Sequence, residues 1–270
     1  MRIFQTLRSH QPLCSTVDGS ISLTAPKSWK DMTQEQLHYT LTLLSTFEDF
    51  TVVKTYMFLR FTGLHVVKKD MFGWRCFART GIFGLKKIPV NIQAWQIEYF
   101  LKHFDYIGTY EGMGVRLDDV RGLHAVDVNL HGVRFVDYLS AEKYYQAYCI
   151  HKDERFLYNI ALELYRKKDG TKVNRIKLDR AQLLGVFLWY SYVKDVFAKT
   201  FHNFFKRSDD FIAEHEEFNF MESVNVQIRA LTDGDVTKEQ LIFDTDCWRA
   251  LTELDAKARE TAAIKKQMKK

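Results

Sequence analysis

Apolar residues recur at helical spacing along most of the chain and at strand-like spacing in one short region. In "PKSWKDMTQEQLHYTLTLLSTF", Leu37, Leu41 and Leu44 fall on one helix face. Thr33 and Gln36 supply a reciprocal cap at its start, each side chain satisfying the other residue's free backbone N–H. A second helix is expected from Glu48 to Thr62, with Phe50, Val53, Met57 and Phe61 in line and Gly63 as its stop. Between Leu64 and Ile88 the period changes. The pieces "LHVV", "WRCFART" and "IFGLKKI" are rich in β-branched and aromatic residues and separated by Gly73, Gly81 and Gly84. They predict a small hairpin or three-stranded sheet near residues 64–88. Helical spacing returns through Ile92, Trp95, Tyr99 and His103.

The stretch from Gly108 to Gly132 carries five glycines and little periodicity, as a long loop or domain boundary would. Beyond it, helices are expected near 133–151, 153–168, 178–206, 217–231 and 245–268, with "KKDGTK" as a turn. No proline follows Pro89 to interrupt them. Residues 1–25 lack periodicity, and "VDGS" reads as a turn between two short extended pieces. The predicted fold is mainly α with a minor β element. Its parts are an irregular segment (1–25), an α+β part (26–107), a glycine-rich loop (108–132), a helical part (133–231), and a C-terminal helix with a basic tail (245–270).

Charge changes this picture little. The net charge is +5, but Lys265, Lys266, Lys269 and Lys270 lie in the last six residues; without them 35 basic residues face 34 acidic ones, leaving +1. By that total the basic excess belongs to a solvated tail rather than to a nucleic-acid-binding face. Cys14, Cys76, Cys149 and Cys247 are dispersed and read as free thiols in a reducing compartment. The N-terminus has no apolar h-region, so no secretory signal is expected. The most apolar run, Leu183 to Val193, is 11 residues long, against about 20 for a membrane span. A cytoplasmic or virion-associated protein without membrane contact is expected.

Motifs for catalysis, cofactors and metals are missing. In "TDGDVTKEQLIFD", Asp233, Asp235 and Thr237 match the first ligand positions of a calcium loop, but Lys238 replaces its glycine and Asp244 its final glutamate. The stretch reads instead as a joint, with Gly234 ending one helix, Thr237 and Gln240 capping the next, and Asp244 or Thr245 capping the last. Gly108, Gly112 and Gly114 lack a phosphate-loop ending, His215 in "HEEF" has no second histidine at metal spacing, and no nucleophile elbow occurs. An active site would have to assemble from Asp118, Asp119, His124 and Asp127.

The apolar face of "LLGVFLWYSYVKDVFAKTFHNFFKR" is unusually wide. It suits a core helix, or a helix that leaves part of its face open to a partner. The partner-binding candidates are Phe187, Tyr190, Phe197, Phe201 and Phe204, joined by Trp248 and Leu251 of the last helix. Two stretches of 12 and 26 residues, "PKSWKDMTQEQL" and "RALTDGDVTKEQLIFDTDCWRALTEL", resemble uncharacterised proteins among the phage and prophage structural genes of gut bacteria. The resemblance implies a helical virion component or tail-assembly factor, similar to chaperones that shield an apolar tape-measure chain. It carries over no catalytic or ligand residue. The leading expectation is a non-enzymatic assembly protein that binds a protein partner or a second copy of itself. The alternatives are a nucleic-acid-binding accessory protein using Arg116, Arg121, Arg134 and the lysine tail, or an enzyme without a linear motif.

Overall fold

In the computed structural model the described residues are 14–17, 20–80, 86–206 and 220–268, without the side chains of 14–17, 20–22 and 80. Gly81, Gly84, His215, the first residues of the helix expected over 217–231, the Cys14 side chain, Lys269 and Lys270 lie outside this description. The described residues are mainly α with minor β. It divides into two compact units, Met1–Thr109 and Tyr110–Lys270.

The first unit begins with a hairpin of β1 (Cys14–Val17) and β2 (Ser20–Leu23). Trp29 follows, buried, its indole N–H donating to the carbonyls of Tyr106 and Thr109 at 3.1 and 3.0 Å. Helix α1 (Gln34–Thr46) starts with the reciprocal Thr33–Gln36 cap. Helix α2 (Phe50–Thr62) is capped by Asp49 and ended by Gly63 in a left-handed conformation. Strands β3 (Leu64–Asp70), β4 (Gly73–Thr80) and β5 (Lys86–Gln93) form an antiparallel sheet in that order, and helix α3 (Ala94–Lys102) follows directly. Ile92 is a strand residue paired with Trp74, a correction to the helical spacing expected to run through it. Val90 and Ile92 are both buried, so the two-residue period of a strand outweighs the helical one there.

The second unit is helical: α4 (Phe135–His151), α5 (Glu154–Leu164), α6 (Arg180–Thr200), α7 (His202–Phe205), α8 (Phe220–Thr232), α9 (Glu239–Phe243) and α10 (Cys247–Met268). Within the glycine-rich stretch lie β6 (Asp119–Val120) and β7 (Leu123–Ala125), and β7 pairs with β8 (Tyr165–Arg166). The expected helix over 153–168 therefore stops at Leu164, because the Tyr165–Ala125 pairing takes over the backbone. The glycine-rich stretch is packed, with Met113, Leu117, Val120 and Leu130 buried. It is also tied to the start of α10: the Cys247 N–H donates to the Val133 carbonyl at 2.8 Å, and the Gly132 N–H to Asp246 at 2.6 Å.

The stretch between α8 and α10 is a joint between helices. Gly234 has φ +83° and its N–H donates to the Arg229 carbonyl. Asp235 accepts from the Thr237 N–H, and Asp246 accepts from those of Trp248 and Arg249. Asp235 and Asp246 are thus the caps, in place of Thr237 and of Asp244 or Thr245. The calcium-like carboxylates are turned to lysines: Asp233 to Lys257 at 2.5 Å and Asp235 to Lys238 at 3.2 Å.

Candidate functional site

Among the described residues α2 and α3 cover one face of the first unit's sheet and leave the other open, β1 also approaches β4, and alternation along each strand determines which side chains go where. Leu64, Cys76, Ala78, Val90 and Ile92 are buried on the side where α2 and α3 pack. Trp74 points the same way and meets Phe58 of α2 at 6.4 Å between centroids. The intervening residues face solvent. A register shift between Val66 and Lys68 places Lys68 opposite Arg75, so the open face is built of cross-strand rows. One row is Lys68, Arg75 and Asn91, the next is His65, Phe77 and Pro89, and Arg79 pairs with Lys87 beyond them. All but the half-buried Phe77 are exposed. His65 stacks on Phe77 with centroids 4.9 Å apart, and the Lys87 ammonium lies 5.0 Å from the centre of the same ring.

Six lysines and arginines and one acidic residue, Asp70, fall between Leu64 and Gln93. Asp70 sits at the hairpin tip, where its carboxylate accepts the Phe72 N–H at 3.0 Å. Among the described residues Lys68, Arg75 and Arg79 form no ion pair. Two like-charged pairs thus stand directly opposite each other across neighbouring strands, an arrangement that destabilises a sheet. Its chemistry suits a ligand that brings negative charge.

The expected partner residues of the second unit are placed differently. Tyr190, Phe197, Phe201 and Leu251 are core residues, a correction to their reading as a contact surface. Phe197 lies edge-on to Trp248 at 5.3 Å and to Tyr138 at 5.5 Å, because α10 and α4 close over the face of α6 that looked wide enough to stay open. Phe187, Phe204 and Trp248 are half-buried. Phe187 packs on Tyr145 and Tyr148, Phe204 on Phe205, and Trp248 stacks on His131 at 4.4 Å while its indole N–H donates to the Asn129 carbonyl. The polar side chain inside this core is also partnered: Glu142 accepts from Tyr190, Lys194 and Gln146 at 3.2, 2.7 and 2.7 Å.

Of the alternative site residues, only Asp119 and His124 are brought together among the described contacts. Asp118 pairs with Arg116, Asp127 accepts the N–H groups of Asn129 and His131, and Asp119 meets His124 at 3.3 Å on a half-exposed hairpin. Of the arginines proposed for phosphates, Arg116 donates to the Val126 carbonyl, and the half-exposed Arg134 pairs with Asp137 and Asp244. Arg121 is exposed at a tight turn. The open sheet face was missed because whole-chain charge averages it away. Its signal is in "WRCFART", where Arg75, Phe77 and Arg79 alternate with Trp74, Cys76 and Ala78. Comparison with protein-family models, with curated proteins and with solved structures finds no match. No helix among the described residues is long and apolar enough to cross a membrane.

Proposed function

We propose that the chain is a non-enzymatic nucleic-acid-binding protein that holds its ligand on the open face of the β3–β4–β5 sheet. The observation that carries this reading is the two cross-strand cation pairs, Lys68 with Arg75 and Arg79 with Lys87, without an ion-pair partner among the described residues, flanking the His65–Phe77 stack. Phosphates relieve the repulsion between such cations, and release of their counterions drives binding. The test is fluorescence anisotropy of a labelled oligonucleotide across a salt series. Affinity should fall linearly with salt on logarithmic axes, and Arg75→Glu with Arg79→Glu should weaken binding and flatten the slope by about one unit or more. A salt-independent affinity, or one indifferent to both substitutions, would remove the proposal.

A second reading, the tail-assembly factor implied by the resemblance, draws on apolar side chains of the second unit. Met221 and Val226 of α8 and Leu241 of α9 are exposed, and a protein partner or a second copy could cover them. Affinity capture from host lysate with and without nuclease separates the two readings. A protein that survives nuclease and is lost on Met221→Ser with Val226→Ser favours assembly. Partners that vanish with nuclease favour nucleic acid.

A further inference from the structure

The cationic face ends at an aromatic ledge. The β3–β4 turn presents Met71 and Phe72, which are 83% and 77% exposed, and the first turn of α3 presents Trp95 at 64%. Turn and helix are joined, since the Ala94 N–H donates to the Phe72 carbonyl at 2.9 Å. Gly73 pairs with Gln93 at this end of the sheet. The added Cβ of any other residue at Gly73 would lie 2.0 Å from the Ile92 carbonyl oxygen, so the turn is drawn close against β5. The Trp95 indole N–H donates to the Gln93 side chain at 2.5 Å, and Gln93 alternates along β5 with Asn91 and Pro89 on the open side of the sheet. Gly73 and Phe77 are four residues apart along β4, about 13 Å at the rise of a strand. The His65–Phe77 stack and the ledge are therefore two aromatic stations along one cationic surface.

We infer that this surface takes single-stranded rather than duplex nucleic acid, with unpaired bases stacking on Trp95 and Phe72 while Arg75, Lys68, Arg79 and Lys87 hold the phosphates. The inference rests on the proposed function and adds the class of ligand. Duplex bases are already stacked on one another and offer phosphates alone, whereas a single strand offers both phosphates and free ring faces. A duplex would leave the exposed Trp95 and Phe72 without a role. Trp95 is held by its hydrogen bond to Gln93, so little ordering is needed for a base to stack on it.

The test uses the full chain with Trp95→Ala, Phe72→Ala and the Arg75→Glu/Arg79→Glu variant. Each is titrated against a labelled oligothymidylate, a labelled duplex of equal length and anionic phospholipid vesicles, with far-ultraviolet circular dichroism as the check on folding. The expected result is tighter binding to the single strand than to the duplex. Trp95→Ala should lose about tenfold or more on the single strand alone, as one base–aromatic stack does, with an unchanged salt slope. The charge variant should lose both nucleic acids. Equal affinity for both, untouched by Trp95→Ala and Phe72→Ala, would overturn the stacking role and leave a phosphate-binding face in place. Vesicle binding lost with the ledge variants, without oligonucleotide binding, would overturn this inference and the proposed function together.

Discussion

Arg79 and Lys87 stand directly opposite each other on β4 and β5, on the open side of the sheet. Lys87 has the Phe77 ring to lie over, while Arg79 forms no ion pair among the described residues. Like charges facing across a ladder cost stability, and opposite charges there contribute roughly 0.2–1 kcal/mol. A sheet selected for stability alone would place an acid at one of the two positions.

Arg79→Glu should therefore stabilise the protein while it damages binding. Denaturant unfolding is expected to show a gain of about 0.5 kcal/mol, largest at low salt, alongside weaker affinity for a labelled oligonucleotide. Functional surfaces commonly sacrifice stability in this way. A variant that loses stability and keeps its affinity would show that the repulsion carries no function.

Gly73 is fixed by two independent constraints. Its φ of +147° is one that residues with a side chain rarely adopt, and a Cβ would collide with the Ile92 carbonyl. Gly73→Ala should cost about 2 kcal/mol or more, measured by denaturant unfolding. It should also displace the Phe72–Trp95 ledge, so single-strand affinity should fall with it.

The parts of this fold that were legible in sequence are those set by near neighbours. Thr33 finds Gln36 three residues away, and Gly63 ends α2 because the chain there turns left-handed. Where several acceptors crowd one stretch, the choice among them was not legible: Asp235 and Asp246 displaced Thr237, Asp244 and Thr245 as caps. Pairing over distance was invisible too, since β8 is a strand through residues such as Ala125, which lies beside Tyr165 from 40 residues earlier. The open cationic face of the sheet falls between these cases. Its alternation is printed in "WRCFART", but a period of two does not say which of the two faces α2 and α3 will cover.

Asp137 is buried in the second unit among three cations: Arg134 at 3.0 Å, Arg166 at 3.1 Å and Lys172 at 2.7 Å. Burial alone would raise its pKa, but the hydrogen bonds and charges of Lys172 and Arg134 prevail and hold it below the usual carboxylate range. Its folded pKa is thus lower than its unfolded one of about 3.9. The stabilisation is complete above that value and disappears as pH falls through the folded pKa. Asp137→Asn should cost about 3 kcal/mol at neutral pH, because the cations, Arg166 above all, lose their buried counter-charge. Urea unfolding at pH 7 and again near pH 3 checks both points: the gap between wild type and variant should narrow in acid.

Phe197 and Phe201 are the residues on which an assembly surface and a core make opposite predictions. Both are buried, both meet the Trp248 ring edge-on at 5.3 Å, and they lie 5.7 Å from each other. Deleting a buried phenylalanine to alanine costs roughly 3–5 kcal/mol, and serine adds a hydroxyl to be satisfied in the same space. Against a total stability of about 5–15 kcal/mol, Phe197→Ser with Phe201→Ser should abolish the cooperative melting of the second unit, followed by near-ultraviolet circular dichroism. The first unit contains neither residue, and its sheet should keep oligonucleotide affinity. A double variant that melts like wild type and loses only a protein partner would contradict the core placement of these side chains and extend the assembly reading to α6.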